Sequence, residues 1–304
     1  MSNSFITAND NQTNFIEGLV KSYYPGNPLK DPEYLKLGYK TISSNQSQET
    51  FVSTDSIQPP SIAGVGQAPN MQITQERYQK QMVPVVVATG FQVDETAIED
   101  GKAFNIVERN MGQIPNAFNK TKELLAVIPF NNGYTETCWD GSAIFSTTHA
   151  LPQNSGIQSN ILPTAAPLSK NAVQNLLTII NTSKDYNGCE SNRKGLILIV
   201  HPNNEWIAKE ITASPYNPDN ANNAINAIYN VLPEGYVCNR YLTNIANWFI
   251  LTDEDLALTH IERRALRIKT EDKIAERLTM VVADERYAMD IINPFGLFGS
   301  GNLS

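Results

Sequence analysis

Along the chain, short β-branched runs alternate with stretches in which apolar residues recur every three or four positions. Met82 to Phe91 (MVPVVVATGF) is of the first kind and predicts a strand, with Pro84 tolerated near its start or at an edge. After Asp94, the residues Phe104, Val107, Met111, Ile114 and Phe118 form one face of a helix. Pro115 removes an amide donor and pushes Ile114 away from helical geometry. The pattern therefore predicts a helix over about Glu95–Gly112, a break, and a second piece to about Val127. Ser169 is placed to cap a further helix whose apolar face is Val173, Leu176, Leu177 and Ile180. Gly195–Val200 (GLILIV) is a continuous apolar run of strand length, buried on both faces by its pattern. His201-Pro202-Asn203 follows, then a helix carrying Trp206, Ile207 and Ile211. Trp248–Leu251 is a second buried strand, and together these elements predict a compact α/β unit over 185–253. The Asn-rich stretch 213–226 inside it predicts little.

Beyond that unit the period returns to two: Leu266 with Ile268, Met280 with Val282, then Tyr287, Met289 and Ile291 opposite Arg286, Ala288 and Asp290. These strands are expected to rejoin the sheet begun by Met82–Phe91. The chain would leave one domain, build another and come back. Residues 128–165 are dense in Gly, Asn, Ser and Thr yet hold Trp139, Ile144 and Phe145, which reads as an ordered excursion of turns and short strands.

The first 40 residues offer isolated apolar positions (Phe5, Phe15, Ile16, Leu19) and a turn-rich Tyr24-Pro25-Gly26-Asn27-Pro28, the character of an arm. From Thr41 to Gln72 the composition shifts to Ser, Gln, Pro and Gly, and Phe51, Val52, Ile57, Ile62 and Val65 are too sparse for a private core. Such a stretch reads either as an untethered surface loop or as a segment that drapes over a partner.

With 304 residues and 41% apolar content, the chain is long enough for two packed domains plus extensions. No window approaches the roughly 18 apolar residues of a membrane span, and MSNSFITAND lacks the basic start and apolar centre of a signal peptide, so synthesis in the cytosol is expected. Cys138, Cys189 and Cys238 are an odd, widely spaced set that reads as buried thiols. A net charge of −8 argues against a broad phosphate-gripping face, while leaving room for an acidic wall along which enclosed DNA slides.

Candidate chemistry is thin. Asp140, Ser146 and His149 lie within ten residues of one another, the residue types of a hydrolase, but no Gly-x-Ser-x-Gly elbow surrounds Ser146. Gly64-Val65-Gly66 is followed at position 69 by Pro69 and has no strand-then-helix context for a dinucleotide. His149, His201 and His260 show no metal spacing and read as structural. No catalytic, cofactor or metal residue is therefore expected. Arg263, Arg264, Arg267, Lys269, Lys273 and Arg277 form a basic cluster diluted by Glu262, Glu271, Asp272 and Glu276, read as a solvated strand face or as an intersubunit salt-bridge stripe.

Three passages together carry a family resemblance. They are Asn110-Met111-Gly112-Gln113-Ile114-Pro115-Asn116-Ala117-Phe118; then Trp139-Asp140-Gly141-Ser142-Ala143-Ile144-Phe145-Ser146-Thr147-Thr148-His149, followed by Asn160-Ile161-Leu162 and the Ser169 helix; and Arg286-Tyr287-Ala288-Met289-Asp290 with Phe295-Gly296-Leu297-Phe298-Gly299. Over about residues 75–300 the chain resembles tailed-phage major capsid proteins of the Hong Kong 97 fold, in particular the Mu-like major head subunits. The resemblance implies an α+β fold with an N-terminal arm (1–40), an extended loop (41–80), a peripheral domain with a long spine helix (81–184), an axial α/β domain (185–253) and returning peripheral strands (254–304). It implies a subunit that assembles with itself into hexamers and pentamers around double-stranded DNA, with scaffold, portal and decoration or cement proteins as further partners. No cofactor or membrane is implied. Some members carry a charged, helical scaffolding segment that nothing before Tyr39 matches, so a separate scaffold, or none, is expected. The nearest alternative is an encapsulin-like nanocompartment shell; the other is a hydrolase using Ser146 and His149.

Overall fold

A computed structural model of the protein describes residues 16–20, 33–54, 59–60, 62, 64–66, 68, 71, 75–151, 156–185, 188–216 and 225–301. The strands are β1 (Lys40–Ser43), β2 (Glu49–Thr54), β3 (Glu76–Met82), β4 (Val85–Asp94), β5 (His149–Leu151) and β6 (Gly156–Gln158). They continue as β7 (Gly195–Val200), β8 (Tyr236–Cys238), β9 (Trp248–Thr252), β10 (Leu258–Lys273), β11 (Leu278–Ile291) and β12 (Leu297–Gly299). The helices are α1 (Glu33–Lys36), α2 (Glu95–Glu99), α3 (Ala103–Asn132), α4 (Lys170–Asn181) and α5 (Glu205–Ala213).

One four-stranded sheet has the order β1-β10-β11-β4 and the other β12-β9-β7-β8. β11 pairs antiparallel with β4, Val281 opposite Phe91 and Tyr287 opposite Val85, so the returning strands do rejoin the first sheet. The expected single strand over Met82–Phe91 is instead two, parted at Val83-Pro84. Proline has no N–H for a ladder, and the chain uses that position to pass from the β2–β3 hairpin into the sheet. On β11 the side facing the core carries Val281, Ala283 and Tyr287, while Met280 and Val282 are only half-buried. The alternation was legible, but Met280 and Val282 proved to be the less buried side. The last strand, β12, pairs with β9 in the second sheet.

The long helix departs from expectation in an informative way. The break falls before it, at Asp100-Gly101-Lys102: Gly101 adopts φ +71°, Lys102 N–H donates to the Ala97 carbonyl at 2.9 Å and Gly101 N–H to that of Ile98 at 3.1 Å. This is the left-handed helix stop that glycine favours. From Ala103 the helix then runs 30 residues without interruption through Pro115 and Pro129. A proline inside a helix costs about 3 kcal/mol. Val107, Met111, Ile114 and Phe118 are all buried on the first sheet, at about 1.5–3 kcal/mol each, so burial outweighs the missing bond. At the far end, a Cβ on Gly133 would sit 2.5 Å from the Phe145 ring, so the close approach that ends the helix requires glycine.

Three large cores follow from this geometry. The first half of α3 packs with Val93, Val281 and Ala283, and also with Ile16 and Val20, so residues 16–20 of the expected arm bury side chains in their own chain. The turn at Tyr24–Pro28 lies outside the described residues. The second half of α3 contributes Ala126, Val127 and Phe130 to a core shared with Ile197, Ile199, Phe249 and Leu251. Leu198, Val200, Trp248 and Ile250 face the opposite way, onto α4 and α5. The two apolar runs are thus buried on both faces, as their pattern predicts. Ser169 caps α4 by accepting from Ala172 N–H at 3.3 Å, and Val173, Leu176, Leu177 and Ile180 are buried. Among the described residues no helix is long and apolar enough to cross a membrane.

Truncating Phe118 to Ala should cost about 3–5 kcal/mol in urea unfolding of dissociated subunits, whereas Phe104→Ala, at an exposed position on the same helix, should cost under about 1 kcal/mol. Equal costs would contradict the burial account of how α3 tolerates Pro115.

Candidate functional site

The excursion after α3 is built from turns. Cys138 N–H donates to the Ser142 carbonyl at 2.9 Å and Gly141, at φ +79°, turns the chain. Asp140 accepts from Ser142 N–H at 2.9 Å and from Cys138 Sγ at 2.7 Å, and lies 2.7 Å from His149 Nδ1. The His149 and Asp140 side chains are 0% and 1% exposed. Burial alone would push the Asp140 carboxyl up; hydrogen bonds from His149 and Cys138 outweigh that and hold it below the usual carboxylate value.

An Asp–His pair is present, but Ser146 does not join it. Its hydroxyl lies 3.1 Å from Thr148 Oγ1 and accepts from Thr148 N–H at 3.1 Å. Among the described residues no hydrogen bond links Ser146 to His149, so the nucleophile–base contact that the hydrolase alternative requires is missing. Gly64-Val65-Gly66 is exposed between β2 and β3, and Pro69 lies outside the described residues.

Asn160 does more than sequence reasoning assigned to it. Fully buried, its amide nitrogen donates to the carbonyls of Ile144 at 2.6 Å, Pro294 at 3.0 Å and Leu297 at 3.2 Å, while its Oδ1 accepts from Ser146 N–H at 2.9 Å. The excursion is thereby fastened to the chain's end. The only sequence signal was its place beside Ile161-Leu162 in the recognised passage; an isolated Asn in a loop carries no such information.

The other histidines are structural. His201 Nδ1 accepts from Asn203 N–H at 3.1 Å and starts the turn before α5. His260 Nδ1 lies 3.2 Å from Thr41 Oγ1, and its ring meets Tyr34 and Tyr287 edge-on. Beside it, Lys122 of α3 pairs with Glu285 of β11 at 2.8 Å, both nearly buried. Burial and then the Lys122 charge lower the His260 pKa from 6.5 to about 4. In the basic cluster, Arg264 and Arg267 both bind Asp284 of their own chain, the latter at 2.7 Å, and Lys273 lies 3.8 Å from Glu276. Of the thiols only Cys138 is buried; Cys189 and Cys238 are half-buried.

The deciding comparison is with protein families. A family model described as phage capsid protein matches residues 79–299. The chain belongs to the phage capsid protein family. Solved structures agree in fold. The procapsid of bacteriophage JBD30 matches with TM-score 0.54 at 13% identity, covering 96% of this chain and 75% of that one. The capsid of the native GTA particle matches with TM-score 0.55 at 11% identity, covering 89% and 90%. Microbacterium phage Oxtober96 matches with TM-score 0.53 at 10% identity, covering 90% and 91%. No curated protein sequence matches. The fold is that of Hong Kong 97-type capsid proteins, and the protein is a major capsid shell protein, which places it in the virion.

In this capsid protein the buried polar residues are fastenings. Asn160→Ala should lower stability by at least about 2 kcal/mol in denaturant unfolding, because it strips partners from several buried backbone groups. Since its folded pKa is depressed, neutral His260 contributes stability that is present above pH 6.5 and lost as pH falls toward 4, roughly 3 kcal/mol in all. The difference in unfolding free energy between wild type and His260→Asn should therefore shrink or reverse over that window. A constant difference would show that His260 does not titrate there.

Proposed function

We propose that this chain builds a closed icosahedral shell from hexamers and pentamers of itself around a double-stranded DNA genome, and that it catalyses no reaction. The reading rests on family membership together with one observation. The β2–β3 hairpin is anchored at its base, where Met82 is buried and Lys80 binds Asp290 at 2.7 Å and the Ile291 carbonyl at 2.9 Å. Beyond that base it presents Ile62, Val65 and Met71 at 102%, 110% and 84% exposure. An extension that spends apolar residues on nothing in its own chain is explained by a neighbouring subunit.

On this reading residues 1–40 act as the arm, 41–80 as the extended loop, 81–184 and 254–304 as the peripheral domain and 185–253 as the axial domain. Trp206, at 74% exposure, with Ile225 and Ile245, supplies the axial unit with apolar contacts around the capsomer centre. Many modest interfaces suffice, because each added neighbour binds effectively intramolecularly. Assembly takes place in the host cytoplasm, with scaffold, portal and decoration or cement proteins as partners, and the negative chain leaves DNA held without sequence preference. An encapsulin-like compartment shares this physics and differs in what it encloses.

Electron microscopy of the protein expressed alone and with neighbouring phage genes should show regular closed shells, and packaged DNA, rather than a cargo protein, should co-purify from infected cells. Replacing residues 55–75 with a short Gly-Ser linker should leave the subunit folded by circular dichroism and abolish shells. Shells that form normally with the linker would sink the role given to the hairpin.

A further inference from the structure

Cys138, Asp140 and His149 bring a sulfur, a carboxylate and an imidazole nitrogen to one buried point, with their donor atoms all within 4.8 Å of one another. The turn that holds Cys138 against Asp140 is closed by backbone bonds, and His149 is held as the first residue of β5, so the set is preassembled rather than gathered by an ion. Shell formation gives this constellation no role. The side chain that joins the Asp140–His149 pair is the Cys138 thiol, through Asp140 Oδ1, and not Ser146.

We propose that Cys138, Asp140 and His149 form a binding site for a zinc-class divalent metal ion. The donor set selects the class: thiolate and imidazole suit borderline-soft ions, whereas magnesium and calcium require six or more oxygens. One thiolate and one carboxylate neutralise a divalent charge, which is the condition for burying it. Three protein donors leave a fourth position for water, and moving donors from 2.7 Å hydrogen-bond spacing to metal-ligand spacing needs only a small expansion of the turn.

The protons balance simply. Without the ion, the Cys138 thiol donates to one Asp140 oxygen, and burial followed by the Asp140 hydrogen bond holds that thiol well above its usual range. On binding, the thiol proton leaves to solvent and the proton on His149 Nδ1 moves to Nε2, so one proton is released per ion. A set satisfied only as a hydrogen-bonded turn would bind no ion and release no proton.

The test is titration of the full-length chain with Co²⁺, followed through thiolate-to-cobalt charge-transfer absorption, with Zn²⁺ as competitor. The expected result is one ion per chain, displaced by Zn²⁺, with the band lost in Cys138→Ser and kept in Cys189→Ser and Cys238→Ser. The serine retains a donor for Asp140, so the turn should survive. A folded protein with no band, or a band that follows Cys189 or Cys238, overturns the proposal. Should Cys138→Ser not fold, X-ray absorption of the zinc-loaded wild type decides: one sulfur at about 2.3 Å with nitrogen or oxygen neighbours supports the site, and a shell without sulfur or with sulfur alone refutes it.

Discussion

The position of one sheet relative to the other depends on a single helix whose buried face enters two cores in succession. Val107, Met111, Ile114 and Phe118 lie on the first sheet, and Ala126, Val127 and Phe130 lie in the core shared with the second. Because the 30 residues span about 45 Å as one rigid rod, neither core can shift without the other. Two prolines inside it are tolerated for the same reason: the rod is held from outside, by burial, more than by its own ladder.

Polar groups complete what burial begins. Tyr39 donates to the Ala126 carbonyl at 2.7 Å, fixing the start of β1 to the helix, and Asn131 donates to the Tyr241 carbonyl at 3.1 Å, fixing the helix end to the second unit. Lys122 and Glu285 form a nearly buried ion pair between helix and sheet, beside His260 and Tyr287. Such a pair contributes little net stability, but it penalises any other register of α3 on β11. A shell subunit must present its contacts at fixed angles, and these ties serve that need.

The outer parts obey a different rule. The hairpin above its Met82 base and the surface around Trp206 leave apolar side chains exposed, which the proposed shell contacts would cover. Rigidity inside and unsatisfied apolar surface outside are complementary features of a part made to be assembled.

Local pattern determined much of this protein. The doubly buried runs Gly195–Val200 and Trp248–Leu251, the Ser169 cap and the return of the last long strands to the sheet of β4 were all legible, because period and capping chemistry act over a few residues. The recognised passages, not periodicity, pointed to a shell protein. Tertiary structure alone decided that α3 continues through Pro115, since the compensating burial comes from β4 and from β11, the latter more than 150 residues away in sequence. It alone decided that Asp140 would pair with His149 and Cys138 rather than align Ser146, and that Asn160 would tie the excursion to the chain's end. Those outcomes depend on which distant backbone groups meet in a dry interior, and a hydrogen bond between residues far apart in sequence leaves no period along the chain.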